Sequence, residues 1–137
     1  LEDWVKQLET LLHAGAEVHL MSSQPQAGPA ELLNADHAPL IEAEQRWLAE
    51  RQPLEQLQEL LAAANWNVTQ EQWTDQVSLQ VDSGLITRWF SKQATYRQAM
   101  EEQLGDQAIK ALKTSYQKRI GTKLRQTISH QHLVARR

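Results

Sequence analysis

Cysteine is absent from this 137-residue chain, which excludes a disulfide framework, thiolate zinc ligation and a cysteine nucleophile together. Glycine is scarce as well. A phosphate or dinucleotide site needs closely spaced glycines, because backbone amides must approach the phosphates without a Cβ in the way. Here Gly15, Gly28, Gly84, Gly105 and Gly121 stand far apart, so there is neither a P-loop nor a GxGxxG fingerprint. No apolar run approaches the length of a membrane span, and no signal-peptide pattern opens the sequence. The absence of Cys suits a reducing, cytoplasmic setting, and a start at Leu1 rather than Met reads as a piece of a longer polypeptide.

Acidic residues are missing from the last segment. From Gln107 to Arg137 there are eight basic residues and no acid, while all 17 acids share the earlier positions with the other six bases. Lys110, Lys113 and Lys118 fall off the apolar stripe of their helix, and Arg125 extends the same positive surface. These four are candidates for electrostatic, sequence-independent contact with nucleic-acid phosphates. The competing account is that the basic segment folds against the chain's own acidic body.

What is present is globular: 41% hydrophobic and 23% charged residues, enough for a single module over residues 1–137. Leu1, Trp4, Val5, Leu8, Leu11 and Leu12 share a helical stripe. Gly15 then stops the helix, and residues 17–21 read as a short buried strand. Residues 22–39 are loop- or linker-like, punctuated by Pro25, Gly28 and Pro29, with a helical turn at residues 30–33. Pro39 and Pro53 each suit a first helical position. They open one helix to about Arg51 and another carrying Leu54, Leu57, Leu60 and Leu61.

Residues 68–81 alternate with period two, as one bent strand or a tight hairpin, with Val77, Leu79 and Val81 on one side. Asp82 or Ser83 can cap a helix holding Leu85, Ile86, Trp89 and Phe90. A helix at residues 93–104 follows, then one in which Ile109, Leu112, Tyr116 and Ile120 line up before Gly121. Residues 124–137 form a final strand. The expected class is α+β, a small mixed β-sheet of about three strands covered by amphipathic helices.

Few constellations point to chemistry. His130 and His132 alternate on a strand and could begin a metal site, but two ligands need a distant third such as Asp82 or Glu71. Two polar residues on a half-exposed strand is the commoner account. His13, His19 and His37 are scattered, and no serine sits in a nucleophile elbow. The acid pairs Glu42 with Glu44, and Glu101 with Glu102, splay around a helix and read as solvated faces. Trp4, Trp47 and Trp89 lie on apolar stripes. Trp66 and Trp73 bracket a strand and are candidates for an interaction surface.

Two segments carry a resemblance. Leu8-Glu9-Thr10-Leu11-Leu12-His13-Ala14-Gly15-Ala16-Glu17-Val18-His19-Leu20 is similar to the unit preceding strand five in class I S-adenosylmethionine-dependent methyltransferases. Leu60-Leu61-Ala62-Ala63-Ala64-Asn65-Trp66-Asn67-Val68 resembles the approach to strand six, with Asn65 in place of the usual Gly and Trp66 of the usual Phe. Asp82-Ser83-Gly84-Leu85-Ile86-Thr87-Arg88-Trp89-Phe90, followed by Tyr96, looks like a segment of a methyltransferase-like domain fused to cyanobacterial AAA+ ATPases of the replication-associated recombination family.

The resemblance implies the C-terminal half of a Rossmann-like fold, in which the final strand inserts antiparallel between those near Glu17 and Val77. The family's cofactor loop and ribose-binding acid belong to its N-terminal half, which this sequence does not contain. No cofactor or catalytic residue carries over, and no cofactor is expected in this chain. The implied role is a non-catalytic accessory or interaction module, attached to a DNA recombination or replication ATPase. Its partner would be the rest of a larger polypeptide or another protein. The alternatives are a helix-rich nucleic-acid-binding module using the basic segment, and part of an active methyltransferase whose cofactor-binding half lies elsewhere. An incomplete sheet leaves an exposed edge, through which a homodimer can form.

Overall fold

The computed structural model describes residues 2–34, 36–51 and 53–137, Pro53 in its backbone alone. Helix α1 (Glu2–Leu11) leads to strand β1 (Glu17–Pro25), followed by α2 (Pro29–Leu32), α3 (Ala38–Glu50) and α4 (Pro53–Ala63). Strand β2 (Asn67–Gln80) precedes α5 (Ser83–Phe90), α6 (Thr95–Leu104) and α7 (Gln107–Gln117), and β3 (Lys123–Arg136) closes the series. The fold is α+β, and the three strands form one sheet in the order β1-β3-β2.

The sheet is antiparallel rather than mixed. Along β1 and β3 the partners run in opposite senses: Arg137 N–H donates to Ala16 C=O, and Gln26 N–H to Thr127 C=O. On the other side of β3, Val81 N–H donates to Thr122 C=O and Gly121 N–H to Val81 C=O. The last strand thus lies between the first two. Residues 67–80 form one continuous strand, which decides between the two expectations for that stretch.

By contacts the chain, expected as a single module, divides into two compact units: residues 1–24, 51–75 and 128–137, and residues 25–50 and 76–127. The first unit packs α1 and α4 on the sheet. Val18 and Leu20 of β1, Val68 of β2 and Leu133 and Ala135 of β3 meet Val5, Leu54, Leu61 and Trp66. All these strand residues share one side of the pleat, as a period of two requires. Trp66 is only 4% exposed, so its ring is core rather than interaction surface. Leu11 is 79% exposed, because it lies roughly 120° round the helix from the buried Val5. Leu1, expected on the same stripe, lies outside the described residues. Strand β1 is an edge strand with alternating half-burial, not the buried strand expected.

Helix α4 ends on Asn65, which takes the left-handed region at φ 66°. Asn tolerates that conformation better than other non-glycine residues. Trp66 N–H then closes back on Leu61 C=O at 2.9 Å. In the same unit Arg137 Nη1 donates to the Glu9 and Leu12 carbonyls at the end of α1, a favourable place for a cation.

The second unit surrounds Phe90, Tyr96, Met100, Ile109, Leu112 and Tyr116. Each buried side chain of this kind contributes roughly 1.5–3 kcal/mol. Aromatic rings meet edge-on, Trp47 with Tyr96 at 5.6 Å and Trp89 with Tyr116 at 5.4 Å. Asp82 caps α5 by accepting from Leu85 N–H at 2.8 Å, as its position suggests. Ile120 does not join the α7 stripe. The helix stops at Gln117 and Ile120 is 54% exposed in the turn, where Gly121 supplies φ 97°. The stretch 22–39, expected as loop or linker, includes the end of β1, all of α2 and the start of α3.

Glu44 overturns the solvated-face account. It is fully buried, and its carboxylate accepts from Ala30 N–H at 2.7 Å, Glu31 N–H at 3.2 Å and Tyr96 Oη–H at 2.5 Å. Two of these donors are unsatisfied amides at the start of α2, so Glu44 caps a helix from a distance. Burial raises its pKa above the usual carboxylate value against the lowering effect of those bonds, and the nearby Glu31 charge adds to the rise. Burial also pushes Tyr96 and Tyr116 up, with Glu44 reinforcing both, so these phenols remain donors. Tyr116 donates to Pro29 C=O at 2.6 Å. A Cβ on Gly28 would fall on the Glu44 side chain, which accounts for glycine there.

Two outcomes follow. Gly28→Ala should lower unfolding stability by about 1–3 kcal/mol through overpacking, measurable by urea titration. Glu44 binds its proton more tightly folded than unfolded. Its contribution is therefore complete below the ordinary value of 4.5 and is lost as pH rises through the raised one. Thermal unfolding from about pH 4 to 8 should show the parent losing stability relative to Glu44→Gln as pH rises.

Candidate functional site

In the first unit, the side of the sheet opposite α1 and α4 carries polar and aromatic side chains. Odd-numbered residues of β1 and β2 and even-numbered residues of β3 face this way, because strand side chains alternate and directly paired residues share a face. Glu17, His19, Met21 and Ser23 come from β1, Trp73 and Asp75 from β2, and His130, His132 and Arg136 from β3.

Ser23 Oγ lies 2.6 Å from His130 Nδ1, and His130 Nε2 lies 3.0 Å from Asp75 Oδ2. The Trp73 ring stacks on His130 with centroids 5.3 Å apart and planes at 22°. Beside this group, His19 Nδ1 and His132 Nε2 are 2.9 Å apart, with their rings stacked at 5.1 Å. Arg136 donates through Nε and Nη2 to Glu17 Oε1 at 3.1 and 3.0 Å. That carboxylate oxygen also lies 3.8 Å from His19 Nε2.

The hydrogen bonding constrains protonation. With His130 Nε2–H donating to Asp75, Nδ1 is left to accept from Ser23 Oγ–H. The His19–His132 contact needs one nitrogen to donate and the other to accept. The sequence holds no nucleophile elbow, and His19 stands apart from the other histidines in it. The strand pairing supplies what it lacks, by joining Ser23, Asp75 and His130 from distant positions.

The group can move a proton along the line Ser23–His130–Asp75. Acyl transfer needs more: backbone donors aimed at a developing oxyanion, and walls that exclude water. The cluster lies on an open sheet, where the side chains of Asp75 and His19 are 61% and 53% exposed. These contacts account for cross-strand pairing, each worth roughly 0.2–1 kcal/mol.

His130 and His132 share a face, as expected, but take different partners. Among the described residues no group of three His, Asp or Glu side chains is arranged to hold a metal ion. The basic candidates lie in the second unit. Lys110 pairs with Asp106 at 2.9 Å, Lys113 is half-buried, and Lys118 and Arg125 are exposed. The Lys110 ammonium holds the Asp106 carboxyl below its usual value. Arg136 and Arg137 are engaged within the first unit, as described above. Of the two tryptophan candidates, Trp73 at 40% exposed remains on the surface.

The second unit also holds a cleft of about 210 Å³, with Trp47, Trp89, Tyr96 and Arg88 in its walls. Ligand pockets usually measure ≈ 300–1,000 Å³, so it would take only a small molecule. Among the described residues no helix is long and apolar enough to cross a membrane.

Ser23→Ala should hydrolyse p-nitrophenyl acetate no more slowly than the parent chain. A fall to the buffer rate would instead make Ser23 a nucleophile. No family model matches this chain, and no similar curated protein or solved structure is found.

Proposed function

We propose that the chain is a non-catalytic accessory or interaction module of a cytoplasmic protein, acting through the open face and outer edge of its sheet. The observation that carries this reading is Trp73, 40% exposed on a strand whose residues 71–78 are all exposed. Large aromatic side chains are enriched at protein interfaces, and a solvent-facing one on an outer strand is a ready anchor. Kinship to the C-terminal part of a methyltransferase-like domain, attached to a DNA recombination or replication ATPase, belongs to the same proposal.

Two features support the kinship. The last strand lies antiparallel between the other two. Asn65, at the position where the resemblance has a glycine, holds φ 66°. An accessory role fits a chain without a glycine-rich cofactor loop.

Two measurements test the reading. Calorimetric titration with S-adenosylmethionine should give no binding heat, and saturable binding would overturn the accessory role. A photo-crosslinking residue at position 73 should form a covalent adduct with a protein in cells, whereas one at the exposed Glu59 should not. Equal adducts at both positions, or none, would remove Trp73 as the anchor.

A further inference from the structure

Strand β2 pairs with β3 on one side, and among the described residues nothing pairs with its other side. Outer strands normally carry devices that block the addition of another strand, such as Pro, Lys or a bulge. Residues 67–80 contain no Pro, Lys, Arg or Gly. β1, the other outer strand, is shorter and ends on Pro25. The free side of β2 thus carries no proline or basic residue, and its only charges are acidic.

The direction of its free groups follows from the pairing. Val81 sends both its N–H and its C=O to the β3 side, toward Thr122 and Gly121. Trp73 and His130, eight residues back on one strand and eight forward on the other, stack on one another, so the register is kept. Odd-numbered residues of β2 therefore bond to β3. Gln70, Gln72 and Thr74 turn their N–H and C=O groups outward, available to an added strand.

The side chains define what would be added. Glu71 and Asp75 are the only charged residues on β2, and both lie on the face that carries Trp73, one on each side of it. Among the described residues Glu71 has no ionic partner, and Asp75 meets only His130. A carboxylate, an indole and a carboxylate in alternate positions suit Lys or Arg side chains, which pair with the acids and lie over the ring. Two copies of β2 in an antiparallel pair centred on Trp73 would set Glu71 against Asp75 at both ends, which is repulsive.

We infer that the free side of β2, through the outward backbone of Gln70, Gln72 and Thr74 and the Glu71–Trp73–Asp75 face, takes up an extended basic segment of a partner protein as a fourth strand. This inference rests on the interaction-module reading and adds the partner's chemistry and its mode of docking.

The test uses the full 137-residue chain with an alternating Lys/Val peptide and its Glu/Val counterpart. The basic peptide should bind, weakening as salt rises, and slow amide hydrogen exchange at residues 70, 72 and 74. Thr74→Pro removes an outward N–H and leaves the β3 side intact. It should abolish binding with an unchanged circular-dichroism spectrum. Glu71→Lys should weaken the basic peptide about three- to fivefold and strengthen the acidic one.

Equal binding of both peptides, binding unaffected by Thr74→Pro, or no binding would overturn the inference. So would concentration-dependent dimerisation abolished by Thr74→Pro, which would make a second copy the occupant. A position-73 adduct without peptide binding would sink only the basic-strand inference, whereas absence of both would sink the interaction reading as well.

Discussion

A buried carboxylate must be met by protein donors or hold its proton, and Glu44 does both in part. Its two oxygens gather the first amides of α2 and the phenol of Tyr96 on α6, while Glu44 itself belongs to α3. Helices α2, α3 and α6 are thereby fixed around one group, Tyr96 of α6 reaching it from 52 residues along the chain. The Tyr116 bond to Pro29 ties α7 to the same short helix. A four-residue helix has no independent stability, since nucleation costs more than so few bonds return. It persists here because its exposed donors are taken up from outside, and because Gly28 lets the acid approach. The aromatic packing of the second unit is assembled over this junction.

The first unit solves a different problem. Its sheet has one apolar side, covered by α1 and α4, and one side left to water. On the wet side, attraction between strands comes from specific polar pairs: Arg136 with Glu17, His19 with His132, and Ser23, His130 and Asp75 in line. Each pair is weak alone, but each has a geometric preference. Together they favour one register over a slip that would carry polar residues to the helix side. The same arrangement brings serine, histidine and aspartate within hydrogen-bonding distance.

Most of the element order was legible because its signals are local. The apolar stripes of Val5 and Leu8, or of Ile109, Leu112 and Tyr116, fix helices within a few residues of one another. Gly121, Asn65 and Asp82 mark ends through their own backbone or side-chain chemistry. What escaped was settled by partners distant in the chain. Glu44 looked like any exposed helical acid, since nothing nearby announces Tyr96 as its donor. Trp66 and Trp73 looked alike in the sequence. Strand alternation sends them to opposite faces, but only the packing of α1 and α4 decides which face is dry. The histidine cluster depended on β3 entering between β1 and β2, a choice of neighbours that no local pattern encodes.

That placement bears on how the chain comes together. Of the three strands, β3 is synthesised after the two that bond to it, so β1 and β2 do not gain this ladder until it arrives. Its contacts with β1 close loops of more than 100 residues, as between His19 and His132. Early products of synthesis must therefore wait with unpaired strands, and assembly of the sheet is delayed by the large separation of its partners. During that interval β2 is open on both sides, which exposes the growing chain to misplaced pairing.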